Sequence, residues 1–171
     1  MLCGCGRLGF DLSGEQTDAL ARPDDATSID APRLALDAGQ CPSGYQHAGT
    51  SCYRFNATTA GAAGWVNGEH LCEADAEGAH LVVIDDQAER DTIIVTLKIT
   101  RVTWIGTSKR TTMNYRTVTN MAAYLALGTQ TEPSEDCLSI QTDGLMYLHT
   151  CGDLDQYLCE YDGVPAVPSA Y

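Results

Sequence analysis

The chain has 171 residues, 44% of them apolar, with 16 glycines and 6 prolines, which is room for one ordinary domain and a tail but not for two stacked domains. Ten basic against 23 acidic side chains give a formal net charge of -13, so the average field opposes nucleic acid and anionic bilayers, and nucleic acid is not expected as a partner. No run reaches the ~18 apolar residues that a spanning helix needs, so any membrane link has to be an anchor.

Residues 1–40 hold one aromatic, Phe10, and drift through Asp, Ala, Pro, Ser and Gly without a helical or strand period, the texture of a disordered linker. At their start, Leu2-Cys3-Gly4-Cys5 resembles a bacterial lipobox, the Leu-x-small-Cys signal at which a lipoprotein precursor is cut and lipidated. That resemblance makes Cys5 the lipidation candidate and residues 1–40 a lipoprotein tether. A chance match of four residues is the alternative, since a working signal also needs a basic start and an apolar stretch before the cut.

From Cys41 the texture changes. Cys41-Pro42-Ser43-Gly44-Tyr45 is a turn signal, and Cys52-Tyr53-Arg54-Phe55 is a short β-prone run. Trp65, Gly68, Cys72 and Ala76 share one face of a predicted helix, with Gly78 placed as its left-handed cap. His80 to Ile84 is a strand candidate. Asp86 with Glu89 three residues on forms a capping box that opens a second helix through Ile93, Ile94 and Leu97. Arg101 to Gly106 is strand-like again. Short β-prone pieces and polar turns follow until Gln156-Tyr157-Leu158-Cys159-Glu160-Tyr161 supplies a last strand. Two helices followed by scattered strands predict an α+β fold.

Six cysteines, Cys41, Cys52, Cys72, Cys137, Cys151 and Cys159, lie in this stretch without the CxxC pairs of zinc ribbons or redox motifs, which reads as disulfides formed in an oxidising compartment. Zinc is the competing reading, because His70 lies near Cys72 and His149 near Cys151.

Taken together, these residues resemble a C-type lectin-like domain of the long form, over Cys41 to Tyr161. Cys41-Pro42 with Cys52-Tyr53 resembles the opening hairpin, Trp65 to Gly78 the first helix, and Leu81 to Leu97 the strand and second helix. Trp104-Ile105-Gly106 resembles the core strand, and Glu135-Asp136-Cys137, Cys151 and Cys159-Glu160 the last three cysteine sites. Six cysteines allow 15 pairings; the resemblance implies Cys41 with Cys52, Cys72 with Cys159, and Cys137 with Cys151. It implies two helices with short antiparallel strands, an abbreviated long loop, a domain at 41–161 and a flexible tail at 162–171.

The resemblance also implies where function would sit. Sugar-binding relatives use a calcium ion held by a Glu-Pro-Asn or Gln-Pro-Asp triplet, a Glu shortly after it, and the Asn-Asp of a Trp-Asn-Asp triplet just before the penultimate cysteine. Here the first triplet resembles Glu132-Pro133-Ser134, and the second falls on Met146, Tyr147 and Leu148, which lack ligand groups of the kind calcium prefers. The ligand-binding candidates are therefore Glu132, Pro133, Ser134, Glu135 and Tyr147. Glu132, Glu135 and Asp136 remain as weak metal candidates, and a calcium cofactor is disfavoured.

Five basic residues and no acid lie between Asp91 and Glu132, and eight acids without a base from Glu132 to Asp162; two solvated faces, or steering of a charged partner, both follow from such asymmetry. Tyr115, Tyr124 and Tyr147 offer flat faces for a sugar or a protein. Asn56-Ala57-Thr58 is a sequon. No HExxH, GxSxG or phosphate-cradling glycine loop is present, so no enzyme is expected. The reading is an extracytoplasmic module, secreted or lipid-anchored, that binds carbohydrate by resemblance. The alternative is a calcium-independent protein-protein or adhesion module on a cell surface.

Overall fold

The computed structural model describes residues 40–56, 62–110, 114–129 and 136–171. The elements run in chain order as strands β1 (Gln46–Ala48) and β2 (Ser51–Asn56), helix α1 (Trp65–Asp75), strand β3 (Ala79–Leu81) and helix α2 (Gln87–Leu97). Strands β4 (Thr103–Ser108), β5 (Arg116–Thr117), β6 (Cys137–Ile140), β7 (Met146–His149) and β8 (Gln156–Tyr161) follow, and a short 3-10 helix spans Pro168–Ala170. This is the α+β arrangement that the sequence predicts.

The sheet order is β1-β2-β8-β4-β6-β7. The last strand is central: β2 pairs along one side of β8, antiparallel from Cys52 with Tyr161 to Asn56 with Tyr157. β3 and β4 share its other side, β3 antiparallel at residues 159–161 and β4 parallel at Gln156 and Tyr157. The strands are thus antiparallel except for this one short parallel contact.

Apolar runs on both central strands predict burial on both faces. Along the chain, Leu81, Val83, Trp104 and Tyr157 belong to one core cluster, while Val82, Ile84, Ile105 and Leu158 belong to the other. Successive side chains alternate between the two cores because a strand's period is two. The indoles cross-link this framework: Trp65 Nε1 donates to the Ile105 carbonyl at 2.7 Å, and Trp104 Nε1 donates to the Ala63 carbonyl at 2.8 Å. Each buried ring has thus found an acceptor for its one polar group.

The helix signals come out unequally. Asp86 caps α2, its Oδ1 accepting from Glu89 N at 2.8 Å. Glu89 Oε2 in turn accepts from Asp85 N at 2.8 Å, one residue before the cap. α1 ends at Asp75, with Ala76 extended, and Gly78 is left-handed at φ 85° in the turn into β3 rather than at the helix cap.

The three disulfides join Cys41 to Cys52, Cys72 to Cys159 and Cys137 to Cys151. They commit the sulfurs that the zinc reading needed, so that reading falls. The 87-residue span of the second bridge staples α1 to β8; on the chain-entropy account it stabilises by about 4 to 5 kcal/mol.

Residues 162–171, expected as a flexible tail, instead pack on the domain. Val167 N donates to the Val118 carbonyl at 2.8 Å, Ala170 is buried, and the Tyr171 hydroxyl donates to Glu73 Oε1 at 2.9 Å. The Tyr171 ring stands edge-on to Trp65, 6.3 Å between centroids. The single Tyr171 side chain makes these contacts along α1, from Trp65 past His70 to Glu73, and one aromatic at a chain end forms no pattern long enough to read as a core face.

Candidate functional site

Tyr147, the ligand-binding candidate that lies among the described residues, sits on a surface built on β6 and β7. The pair is antiparallel, with Ser139 opposite Tyr147 and Ile140 opposite Met146. Period two sends Met146 and Leu148 into the core, where both are buried, and turns Tyr147 the other way. The Tyr147 hydroxyl donates to Asp143 Oδ2 at 2.7 Å, and Asp143 Oδ1 accepts from Leu145 N at 2.9 Å. These bonds hold the Asp143 carboxyl below its ordinary range, the Tyr147 bond first, and raise the phenol.

Residues 121–129 run alongside β7. Met146 N donates to the Ala126 carbonyl at 2.8 Å, and Gly128 N donates to the Met146 carbonyl at 2.9 Å. Gly128 lies against the Tyr147 ring; a Cβ there would stand 2.7 Å from the phenol oxygen and closer still to the ring carbons. Only glycine permits this approach. The same segment leaves Met121, Leu125 and Leu127 exposed, at 46%, 37% and 40%. The result is an apolar strip beside a half-exposed aromatic ring and an exposed carboxylate.

The other predicted residues are distributed as follows. Glu132, Pro133, Ser134 and Glu135 lie outside the described residues, as do the tether 1–39 and its lipidation candidate Cys5. Asp136 is exposed, and its carbonyl accepts from Lys109 N at 2.7 Å. At the places of the family's Asn and Asp, the Tyr147 hydroxyl is engaged by Asp143 and Leu148 is a core side chain; neither presents the amide or carboxylate oxygen that those places supply in sugar-binding relatives. Tyr115 and Tyr124 are partly buried against the core, and Lys109 Nζ stands 5.3 Å above the Tyr115 ring. The Asn56 amide of the sequon donates to the Tyr157 hydroxyl at 2.7 Å.

A small cleft of about 220 Å³ opens between the β1–β2 turn and the start of α2, lined by Gly49, Thr50, Tyr53, Asp85, Asp86, Ala88, Glu89 and Thr92. The Tyr53 hydroxyl donates to Glu89 Oε1 at 2.7 Å at its floor, and burial together with the charges of Glu160 and Glu89 drives that phenol upward.

One group of ionisable residues escaped the sequence reading altogether. Glu69, His80, Glu160 and Asp162 are interior, with exposures of 0%, 0%, 0% and 3%. The acidic half of the chain is therefore not simply a solvated face, since two of its eight acids lie in the core. His80 Nδ1 donates to the Leu81 carbonyl at 2.8 Å, and its Nε2 is 3.2 Å from Asp162 Oδ1. Burial alone would depress this imidazole; the Asp162 hydrogen bond, the charges of Glu160 and Asp162 and the Leu81 carbonyl outweigh it and lift it to about 9. Residues two apart on a strand share a face, so Glu160 and Asp162 were legible as neighbours. Their meeting with His80 depended on the β3–β8 register, which no local pattern encodes.

With this geometry in hand, comparison with known proteins gives the following. The Lectin C-type domain family matches residues 62–161. No curated protein matches the chain. Among solved structures the chain is similar to the mouse scavenger receptor C-type lectin carbohydrate-recognition domain, with 19% identity, a TM-score of 0.61, and coverage of 71% of this chain and 98% of that one. It is similar to the C-type lectin CEL-I from Cucumaria echinata, with 19% identity, a TM-score of 0.60, and coverage of 71% and 96%. Human lithostathine gives 21% identity, a TM-score of 0.62, and coverage of 74% and 93%. At these identities the likenesses speak for the fold alone. The family match, which spans more than half of the sequence, joins the disulfide pattern and the sheet order: this chain belongs to the C-type lectin domain family.

Proposed function

We propose that the chain is a non-catalytic, extracytoplasmic binding module that takes carbohydrate on the surface formed by β7 and residues 121–129, without a calcium ion in the contact. The observation that carries this reading is the alternation of β7. Where sugar-binding relatives place the Asn and Asp calcium ligands, this chain presents Tyr147, braced by Asp143 and Gly128, and buries Leu148. A braced ring offers a sugar an apolar face without paying to order a mobile side chain, and the Asp143 carboxylate beside it accepts hydrogen bonds from hydroxyls. Three disulfides fit an oxidising compartment, with the domain either secreted or tethered at the cell envelope through Cys5.

A glycan array probed with the full chain, in calcium and then in chelator, tests this. The expected result is a set of bound glycans whose signals survive chelation and drop at least tenfold in Tyr147→Ala. Loss of all binding on chelation, or retention of full binding in Tyr147→Ala, refutes it. The exposed Met121, Leu125 and Leu127 favour a second reading, a calcium-independent protein-protein or adhesion surface. On that reading the array stays blank and a Leu127→Asp substitution abolishes adhesion of the chain to cells.

A further inference from the structure

The interior group on β3 and β8 has the makings of a metal site. In the antiparallel register His80 lies opposite Glu160, and Asp162 follows two residues on, so all three side chains leave the strands on one face. One donor atom from each lies within 4.8 Å of the other two. We propose that His80 Nε2, a Glu160 carboxylate oxygen and an Asp162 carboxylate oxygen bind a divalent transition cation of the zinc class.

Four features carry this. First, the ligand chemistry is mixed: one imidazole nitrogen and two carboxylates suit zinc and its neighbours, whereas calcium takes oxygen alone. Second, the geometry is nearly set. Ligands about 2.0 to 2.2 Å from a tetrahedral zinc stand roughly 3.3 Å apart, and His80 Nε2 is 3.2 Å from Asp162 Oδ1. Third, the ring is held from behind by its Nδ1 bond to the Leu81 carbonyl, and Glu160 Oε2 accepts from Val83 N at 2.9 Å. Outer-shell bonds of this kind fix the tautomer and the orientation of a metal-bound imidazole.

Fourth, the interior is rich in acids around a single base. Among the buried described residues His80 is the sole basic side chain, set against Glu69, Glu160 and Asp162. Glu69 is within electrostatic reach of His80, and its Oε1 has no hydrogen-bond partner. Where such acids ionise without a compensating charge, burial is costly. A divalent ion that takes the place of the Nε2 proton adds one net positive charge at that point and releases the proton to solvent.

The test uses the full chain carrying Cys3→Ser and Cys5→Ser, so that no free thiol competes, stripped with chelator and then titrated with zinc. Native mass spectrometry should find one zinc per chain, and the thermal midpoint should rise with zinc. Both effects should vanish in His80→Gln and weaken at least tenfold in Asp162→Asn. Nitrogen NMR of the His80 ring in the chain with native His80 is independent of whether those variants fold. Zinc should remove the Nε2 proton and leave the Nδ1 proton in place. A ring that keeps both protons in saturating zinc identifies the cluster as an imidazolium-carboxylate ion pair and overturns the proposal. So does a stoichiometric zinc that survives His80→Gln.

Discussion

Replacing Glu69 with glutamine should stabilise the domain at alkaline pH and flatten its pH dependence. Glu69 is fully buried on α1, where its Oε2 accepts from Leu81 N at 2.7 Å. Burial pushes the carboxyl from 4.5 up to about 7, against the lowering effects of the Leu81 bond and of the His80 and His70 charges, with Glu73 adding to the rise. The folded value exceeds the unfolded one, so between these limits the folded state holds a proton that the unfolded chain has released. Stability from this group is then full below pH 4.5 and is lost as pH climbs to about 7. The displacement corresponds to about 3 kcal/mol, an order-of-magnitude figure. Glutamine keeps a carbonyl acceptor for Leu81 N and has no charge to desolvate. Glu69→Gln should therefore gain up to about 3 kcal/mol at pH 8 and little at pH 4.5. His80 acts in the same direction: its contribution is full below 6.5 and is lost as pH rises through about 9. The difference between the two proteins, rather than either slope, isolates Glu69. Urea unfolding of both at pH 4.5, 6 and 8 in chelator measures it. Identical pH slopes in the two proteins, or a Glu69→Gln variant less stable at pH 8 than at pH 4.5 relative to the parent, would refute the reasoning.

Other outcomes follow from the same contacts. Paired serine substitution of Cys72 and Cys159 should lower unfolding free energy by about 4 to 5 kcal/mol, against about 3 for Cys41 with Cys52; equal losses in denaturant titrations would contradict the loop-length account. Truncation after Gly163 should lower stability by about 1 to 3 kcal/mol and bring a shift in Trp65 fluorescence, because the Tyr171 ring and its bond to Glu73 are removed; an unchanged thermal midpoint would mean that the segment does not dock in solution. Asp86→Ala should cost about 1 kcal/mol through loss of the α2 cap, and a neutral result in chemical denaturation would argue against that bond.

Much of the fold was legible because its signals are local. The capping pair at Asp86 and Glu89, the Trp104-Ile105-Gly106 strand and the strand from Gln156 to Tyr161 each announce themselves within a few residues, and they stand where they were expected. The disulfide pairing came through likeness to a family, since six cysteines in one chain leave the connectivity open, and the structure joins the same pairs. On that likeness the sequence by itself also placed Tyr147 and Leu148 where the family's second triplet has Asn and Asp, side chains without an amide or carboxylate oxygen. What only the tertiary structure decided was the fate of the ionisable groups and the chain end. Glu69, His80, Glu160 and Asp162 look like ordinary polar residues of helix and strand in the sequence; they become interior because α1 packs on β3 and β3 pairs with β8, across up to 82 residues of chain. The tail docks because Tyr171 finds Trp65 and Glu73, partners about a hundred residues away that no local period can reveal. Local patterns record which face of an element is apolar, whereas the register between distant strands, which brings buried charges together, is written only in the packing of the whole.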